Sequence, residues 1–211
     1  MLNNKKIVII DLDIGNVGSV KRAIHHFGYQ TIVSNRHEDI NSATHLILPG
    51  VGSFDEGMKK IHANQIKEIL VEMAKIKNIP ILGICLGMQL FATKGYENKK
   101  ETNGLNIIPG LVKKLKNNTE FKLPHIGWNE VVFKKKNKIF KNILDNSDFY
   151  YIHSYEFICQ DEVSIIGISN YCNNFTSVVN QNNIYGVQFH PEKSLEQGLQ
   201  IIKNFLEIEY I

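Results

Sequence analysis

Short runs of apolar, β-branched residues alternate with longer amphipathic stretches through the first half of the chain. The apolar runs show no polar alternation, which is typical of strands that are covered on both faces of a sheet. The predicted strands are residues 7–10, 31–33, 45–48 and 79–82. The predicted helices are residues 19–27, 54–60, 65–77 and 86–92. This alternation predicts a parallel α/β sheet over the first half of the chain.

The second half has a different pattern, in which short apolar segments are separated by turn residues. These segments predict an antiparallel or mixed extension of the sheet, followed by a closing helix at residues 195–207. The predicted strands are residues 111–112, 131–133, 149–152, 165–168, 176–179 and 184–189. Helical spacing in the first half also predicts one buried side for helix 65–77, made of Ile66, Ile69, Leu70, Met73 and Ile76.

The composition is that of an ordinary globular protein. With 211 residues, of which 43% are hydrophobic, the chain is long enough for one substantial domain. The net charge is only +3 and the lysines are dispersed, so we do not expect a nucleic acid as partner. No apolar stretch approaches the roughly 20 residues that a membrane span needs, so we expect no membrane partner either. The three cysteines, Cys85, Cys159 and Cys172, lack metal-ligand spacing, and their odd number disfavours a disulfide framework. We therefore expect a cytoplasmic protein without a bound metal.

Cys85 is the strongest candidate for chemistry. It follows the predicted strand 79–82, and Gly83 and Gly87 stand two residues before and two residues after it. Glycines at these positions leave room for the sharp strand–turn–helix connection of a nucleophile elbow. A helix N-terminus beneath the sulfur would favour the thiolate. The alternative is a core cysteine between two packing glycines.

Two further segments carry candidate chemistry. The predicted strand 184–189 delivers His190 to its C-terminal end, where open α/β sheets hold their sites. His190 can accept a proton from a nucleophile, while Glu192, two residues on, can hold the other ring nitrogen. The loop of residues 50–52, after strand 45–48, either turns backbone N–H groups toward a ligand or is a plain turn.

Taken together, Pro49-Gly50-Val51-Gly52, the Cys85 elbow and His190-Pro191-Glu192 resemble the class I glutamine amidotransferases. Residues 123–129 and 150–155 are similar to the glutaminase subunits of imidazole glycerol phosphate synthases. The likeness covers essentially the whole chain. It implies that residues 1–211 form one class I glutamine amidotransferase domain, an α/β fold whose mixed, mostly parallel central sheet is flanked by helices.

The resemblance also implies roles for individual residues, in a glutaminase that needs no cofactor. The implied catalytic triad is Cys85, His190 and Glu192, with an oxyanion hole formed by the backbone of Val51, Gly52 and Leu86. The implied glutamine-binding residues are Gly50, Gln89, Glu97, His153, Ser154 and Tyr155. The implied contacts to a cyclase barrel subunit are Asn16, Trp128, Tyr150 and Lys193. From the sequence alone, a buried core indole is an equal alternative for Trp128.

The chain departs from the usual pattern of the histidine-pathway subunits at Leu12, Asp13 and Gly18, and in residues 94–97. These departures concern the partner rather than the chemistry. In the histidine pathway the ammonia serves to make imidazole glycerol phosphate and AICAR. A paralogous subunit would instead supply an amidotransferase that forms amidino groups on bacterial surface sugars. A cysteine hydrolase or protease, and a binding module without activity, are the alternatives outside this family.

Overall fold

The computed structural model describes residues 5–97, 100–116 and 121–209. Within these ranges the chain forms thirteen strands and six α-helices. The strands are β1 Ile7–Ile10, β2 Thr31–Ser34, β3 His45–Gly50, β4 Ile81–Cys85, β5 Lys94–Glu97, β6 Lys100–Asn103, β7 Gly110–Lys114, β8 His125–Phe133, β9 Ser147–His153, β10 Tyr155–Cys159, β11 Ile165–Tyr171, β12 Asn173–Gln181 and β13 Ile184–Val187. The α-helices are α1 Val17–His25, α2 His37–Asn41, α3 Phe54–Ala63, α4 Lys67–Lys75, α5 Leu86–Gln89 and α6 Leu195–Leu206. The ends of the predicted domain, residues 1–4 and 210–211, lie outside the described residues.

The main sheet has nine strands in the order β2-β1-β3-β4-β13-β12-β11-β8-β9. The pairs from β2 to β13 are parallel, and the pairs from β13 to β9 are antiparallel. The prediction of a parallel first half with an antiparallel extension is therefore confirmed. Strand β13 comes last in sequence but lies at the centre of the sheet, next to β4.

Apolar side chains fill both faces of the parallel half. In β1, Val8 and Ile10 join one buried cluster, while Ile7 and Ile9 join another on the opposite face. Successive side chains of a strand point to opposite faces, so a strand covered on both sides must be apolar throughout. Helices α3 and α4 cover the first face, and α1 and α6 cover the second.

A second sheet of four strands, in the order β10-β7-β5-β6, was missed by the sequence analysis apart from β7. Its strands β5 and β6 carry mostly polar, partly exposed residues, so they show no apolar run. Val112 and Phe157 from this sheet join the buried cluster beneath α3 and α4. The short helix α2 was also not predicted.

Several predicted helix boundaries shift. Helix α1 begins two residues earlier than predicted, because the side chain of Asn16 accepts a hydrogen bond from the Ser19 N–H and caps it. Ser53 caps α3 in the same way, by accepting a hydrogen bond from the Glu56 N–H. The prediction that Ile76 is buried was wrong. Helix α4 ends at Lys75, and Ile76 is 79% exposed because the chain leaves the helix there. None of the helices in the described ranges is long and apolar enough to cross a membrane.

Candidate active site

Cys85 is the last residue of β4, and its backbone has a conformation that residues other than glycine rarely adopt, with φ +53° and ψ −109°. The elbow glycines are required by close contacts. A Cβ on Gly87 would lie 1.7 Å from the carbonyl oxygen of Leu48, and a Cβ on Gly83 would lie 2.7 Å from the Met88 nitrogen. The predicted elbow is therefore confirmed, although the helix that follows, α5, has only four residues. The helix predicted over residues 86–92 is therefore reduced to a single turn.

Strand register brings the predicted motifs together. Gly50, the last residue of β3, lies opposite Cys85 on β4, so the loop of residues 50–52 begins beside the sulfur. On the other side of β4, Val187 of β13 lies opposite Ile84. The carboxyl ends of the three parallel strands therefore meet at one edge of the sheet, where α/β proteins hold their sites.

His190 and Glu192 form a buried pair beside Cys85. The His190 Nδ1 and the Glu192 Oε1 are 2.9 Å apart, and both side chains are almost fully buried. Burial by itself lowers the pKa of His190, but its contacts with Cys85 and Glu192 outweigh this effect and raise the pKa well above its usual value. In the described part of the chain, the His190 Nε2 forms no hydrogen bond, so this ring nitrogen is free to exchange a proton.

Cys85 opens into a cavity of about 350 Å³, and most of the predicted site residues line it. The predicted residues at this cavity are Val51, Gly52, Cys85, Leu86, Gln89, His153, Ser154, Tyr155 and Lys193. Ile152 lines the cavity as well and was not predicted. The volume and the mixed polar and apolar lining suit a small polar substrate.

Glu97 does not line this cavity, although the resemblance assigns it to glutamine binding. Its Oε2 accepts a hydrogen bond of 2.7 Å from the backbone N–H of Phe54, the first residue of α3. Burial raises the pKa of Glu97, and this backbone bond partly opposes the shift. Glu97 therefore fixes the start of α3, directly after the loop of residues 50–52.

Gln188 is a site residue that the sequence analysis missed. It is fully buried between β13 and His190, and its Nε2 donates a hydrogen bond of 3.5 Å to the Cys85 sulfur. Its Oε1 accepts a hydrogen bond of 2.8 Å from the Nε2 of Gln89. A signal was present, since an amide in an otherwise apolar, buried strand end needs a polar partner.

Ser194 was missed as well. Its hydroxyl donates to the His190 carbonyl at 2.6 Å and accepts from the Tyr150 N–H at 2.9 Å. The His190 N–H donates in turn to the Tyr150 carbonyl at 2.9 Å. These three bonds fasten the segment that carries His190 to strand β9.

A buried histidine pair supports the other wall of the cavity. The His153 Nδ1 faces the Tyr155 carbonyl at 2.9 Å, and the His153 Nε2 faces the His125 Nδ1 at 3.0 Å. Because a carbonyl only accepts, His153 donates from Nδ1, and its Nε2 accepts from the His125 Nδ1–H. The Asn129 side-chain amide completes the chain by donating to the His125 Nε2 at 3.3 Å. Burial lowers the pKa of His125 to about 4 and that of His153 to about 3.

Four apolar or aromatic side chains form a patch beside the cavity, which we call the β8–β9 patch: Ile126, Trp128, Tyr150 and Ile152. Tyr150 is half-buried and the other three are exposed. The pairing places Trp128 opposite Tyr150 and Ile126 opposite Ile152, so all four lie on one face. Trp128 is 49% exposed, which rules out the core position that the sequence left open. The Lys193 ammonium lies 5.9 Å from the centre of the Tyr150 ring.

The other two cysteines lie away from this cavity. Burial, and to a lesser extent the charge of Asp161, raises the pKa of Cys159 to about 12, so its thiol stays protonated. A protonated thiol is a poor nucleophile.

The comparisons with known proteins agree with this geometry. The family model described as "Glutamine amidotransferase class-I" matches residues 8–208. The chain belongs to this family.

Its relatives include three proteins named as HisH subunits of imidazole glycerol phosphate synthase. The Methanococcus maripaludis protein is 46% identical, over 95% of this chain and 98% of that protein. The Listeria monocytogenes protein is 44% identical over 97% and 96%, and the Vibrio vulnificus protein is 43% identical over 96% and 94%.

Among solved structures, the fold is similar to a glutamine amidotransferase from Thermotoga maritima, with a TM-score of 0.69 and 19% identity. That match covers 97% of this chain and 84% of the other. PurLQS from the same organism gives a TM-score of 0.72 at 16% identity and covers 96% and 97%. These distant matches support the fold alone.

Proposed function

We propose that the chain is the glutaminase subunit of an imidazole glycerol phosphate synthase. It hydrolyses glutamine to glutamate and ammonia and passes the ammonia to a cyclase subunit in histidine biosynthesis. The observation that carries the glutaminase activity is the position of Cys85, which sits on a strained elbow at the cavity, beside the buried His190–Glu192 pair. The HisH names of the relatives support the pathway. A partner in amino-acid biosynthesis also favours a cytoplasmic location.

In this mechanism, the Cys85 thiolate attacks the side-chain amide carbon of glutamine. The C–N bond breaks, His190 donates its proton to the leaving ammonia, and a glutamyl thioester remains on the sulfur. His190 then deprotonates a water molecule that attacks the thioester, which releases glutamate and regenerates the thiolate. Glu192 holds the imidazole through Nδ1, so that Nε2 faces the reacting atoms.

The oxyanion of both tetrahedral intermediates needs two donors. We assign them to the Leu86 N–H and to one N–H of the loop that contains Val51 and Gly52, because all three residues line the cavity. Losing one such donor typically costs about 10²–10³ in rate. Glutamine would be held by the cavity residues Gln89, His153, Ser154 and Tyr155, whereas Gly50 and Glu97 act indirectly by fixing the oxyanion loop.

The partner is proposed to dock on the β8–β9 patch. Ile152 belongs to both the patch and the cavity, and the cavity residue Lys193 borders the patch, so a subunit bound there would cover the cavity mouth and receive the ammonia. An exposed cluster of apolar and aromatic side chains is typical of an interaction surface. Asn16 would join the contact from the first loop, because Gly15 packs against Gly50.

The glutaminase assignment is tested by Cys85→Ala. We expect no glutamate release from glutamine, while the complex still uses added ammonia at close to the normal rate. Cys159→Ala is the matched control and keeps full glutaminase activity. Glutamine hydrolysis by Cys85→Ala, or its loss in Cys159→Ala, would overturn the assignment.

The partner assignment is tested by stimulation. A glycine-bearing oxyanion loop can rest in an unproductive state, so the chain alone should hydrolyse glutamine slowly. We expect glutamate release to rise when a cyclase barrel subunit and its nucleotide ligand are added. Stimulation only by an amidotransferase of surface sugars would move the chain out of histidine synthesis. Full activity of the isolated chain would contradict activation by a partner.

A further inference from the structure

We propose that Gln188 holds the Cys85 sulfur in its reactive position and favours its thiolate form. The inference rests on the proposed role of Cys85 as nucleophile and adds a residue to that site. The Gln188 Nε2 lies 3.5 Å from the sulfur, and the side chain is fully buried. A buried amide held against a reacting atom has few orientations available to it.

The orientation of Gln188 is fixed by a chain of hydrogen bonds that starts at a backbone carbonyl. The Tyr155 carbonyl can only accept, so Gln89 must turn its Nε2 toward it, at 3.0 Å. The second N–H of that Nε2 points to the Gln188 side chain at 2.8 Å, which must therefore present its oxygen. The Gln188 nitrogen is left facing Cys85, so the sulfur meets a donor.

The surroundings of the Cys85 sulfur suit a sulfur that accepts a hydrogen bond better than one that donates it. As a thiol, Cys85 can donate to the Ile152 carbonyl, at the long distance of 3.9 Å, or to a neutral His190. As a thiolate, it accepts from the closer Gln188 N–H. A hydrogen bond to the charged form of a group favours that form. Gln188 therefore adds to the effect of a protonated His190.

Other charged and titratable groups also face Cys85, and the test must separate them from Gln188. His190 follows β13, with Glu192 behind it. Lys193 from the same turn and His153 from β9 line the cavity. Gln188 carries no charge and does not line the cavity, so replacing it leaves these groups in place and reaches the glutamine contacts only through its hydrogen bond with Gln89.

The experiment measures the rate at which iodoacetamide alkylates Cys85 as a function of pH, by mass spectrometry of the Cys85 peptide. In Gln188→Leu the midpoint of this profile should rise by about one pH unit, because the thiolate loses a donor. The kcat for glutamine should fall about tenfold with KM nearly unchanged, since the nucleophile and not the binding site is affected. Gln181→Leu, at an exposed glutamine at the end of β12, is the matched control and should change neither quantity.

An unchanged midpoint in a folded Gln188→Leu variant would overturn the inference. A raised KM with an unchanged midpoint would also overturn it, because Gln188 would then act only by holding Gln89. Neither result would contradict the proposed glutaminase function, which is tested separately by Cys85→Ala.

A second measurement uses the native chain, in case Gln188→Leu fails to fold. The side-chain amide signal of Gln188, observed by ¹⁵N NMR, should shift as Cys85 titrates. The same signal should stay constant through that pH range in Cys85→Ala. A Gln188 signal that is identical in the two proteins would overturn the inference.

Discussion

Three histidines lie at or near the Cys85 cavity, and their surroundings move their pKa values in opposite directions. In the parallel half of the sheet, Cys85 and Glu192 raise the pKa of His190 despite its burial. In the antiparallel half, burial lowers the pKa of His125 and of His153, which have no carboxylate partner among the residues that the structure describes. The first histidine is suited to carry a proton, and the other two are suited to stay neutral and hold a wall in place.

The two halves differ in packing as well. The elbow behind Cys85 leaves no room for a side chain at Gly87, as its close approach to Leu48 shows. The β8–β9 pair instead leaves large apolar side chains in solvent, including Trp128 and Ile126. Chemistry needs atoms that are fixed by their neighbours, whereas a recognition surface needs side chains that a partner can still cover.

The largest effect is expected from a methyl group added to the elbow. Gly87→Ala would place its Cβ 1.7 Å from the Leu48 carbonyl oxygen, so β3 or α5 must move. We expect a loss of at least about 4 kcal/mol in the free energy of unfolding, and no glutaminase activity. Chemical denaturation measures the loss. Gly18→Ala, at an exposed position in α1, is the matched control and should be neutral or slightly stabilising. A stable, active Gly87→Ala would show that the elbow can relax.

Removing the proton carrier should cost more activity than removing the residue that orients it. We expect Glu192→Gln to retain roughly a hundredfold more turnover than His190→Ala, because an orienting group contributes less than the base itself. Steady-state glutamate release measures both, and circular dichroism checks that each variant is folded. Equal losses in two folded variants would contradict this ranking.

A substitution in the antiparallel half should reduce activation by the partner subunit while the stability of the fold is kept. Trp128→Ala removes an indole that is half exposed, so the melting temperature should change by only a few degrees. Stimulation by the cyclase subunit should fall by at least about tenfold, as is typical for an aromatic anchor of an interface. Ile32→Ala, at a similarly exposed residue of the edge strand β2, is the control for loss of apolar surface. Trp128→Ala variants that unfold, or that are stimulated normally, would contradict the proposed docking surface.

The smallest effect is expected on the stability of the chain at acidic pH, which depends on the neutral pair His125 and His153. His125 has a pKa of about 4 in the folded chain and near 6.5 when unfolded. Between these pH values the unfolded chain binds more protons, so the free energy of unfolding falls as the pH is lowered through this window. His125→Gln keeps a donor toward His153 but cannot titrate. It should remove on the order of 2 kcal/mol of this acid sensitivity.

Denaturation between pH 7 and pH 4 tests this expectation. His62→Gln, at an exposed histidine of α3, is the control and should leave the pH dependence as it is. An identical pH dependence in His125→Gln and the native chain would mean that His125 is not held neutral.

The sequence by itself determined the parallel half and the position of the proposed nucleophile. Unbroken apolar runs define strands covered on both faces, and a glycine two residues before and after Cys85 defines the elbow, because both are local requirements of the backbone. His190 and Glu192 were found for the same reason, since two residues of one short turn carry the pair. The family resemblance supplied the oxyanion-hole and glutamine-binding residues, and most of these line the cavity in the structure.

Only the tertiary structure decided contacts between distant segments. The Gln188–Cys85 bond, the link from Ser194 to Tyr150 and the pairing of His125 with His153 each join residues of different elements. The tertiary structure also decided which side chains are exposed. Helical spacing predicts that Ile76 is buried, but α4 ends at Lys75, so Ile76 lies outside the helix and is exposed. The polar strands β5 and β6 could not be predicted, since their pairing, and not their composition, makes them strands.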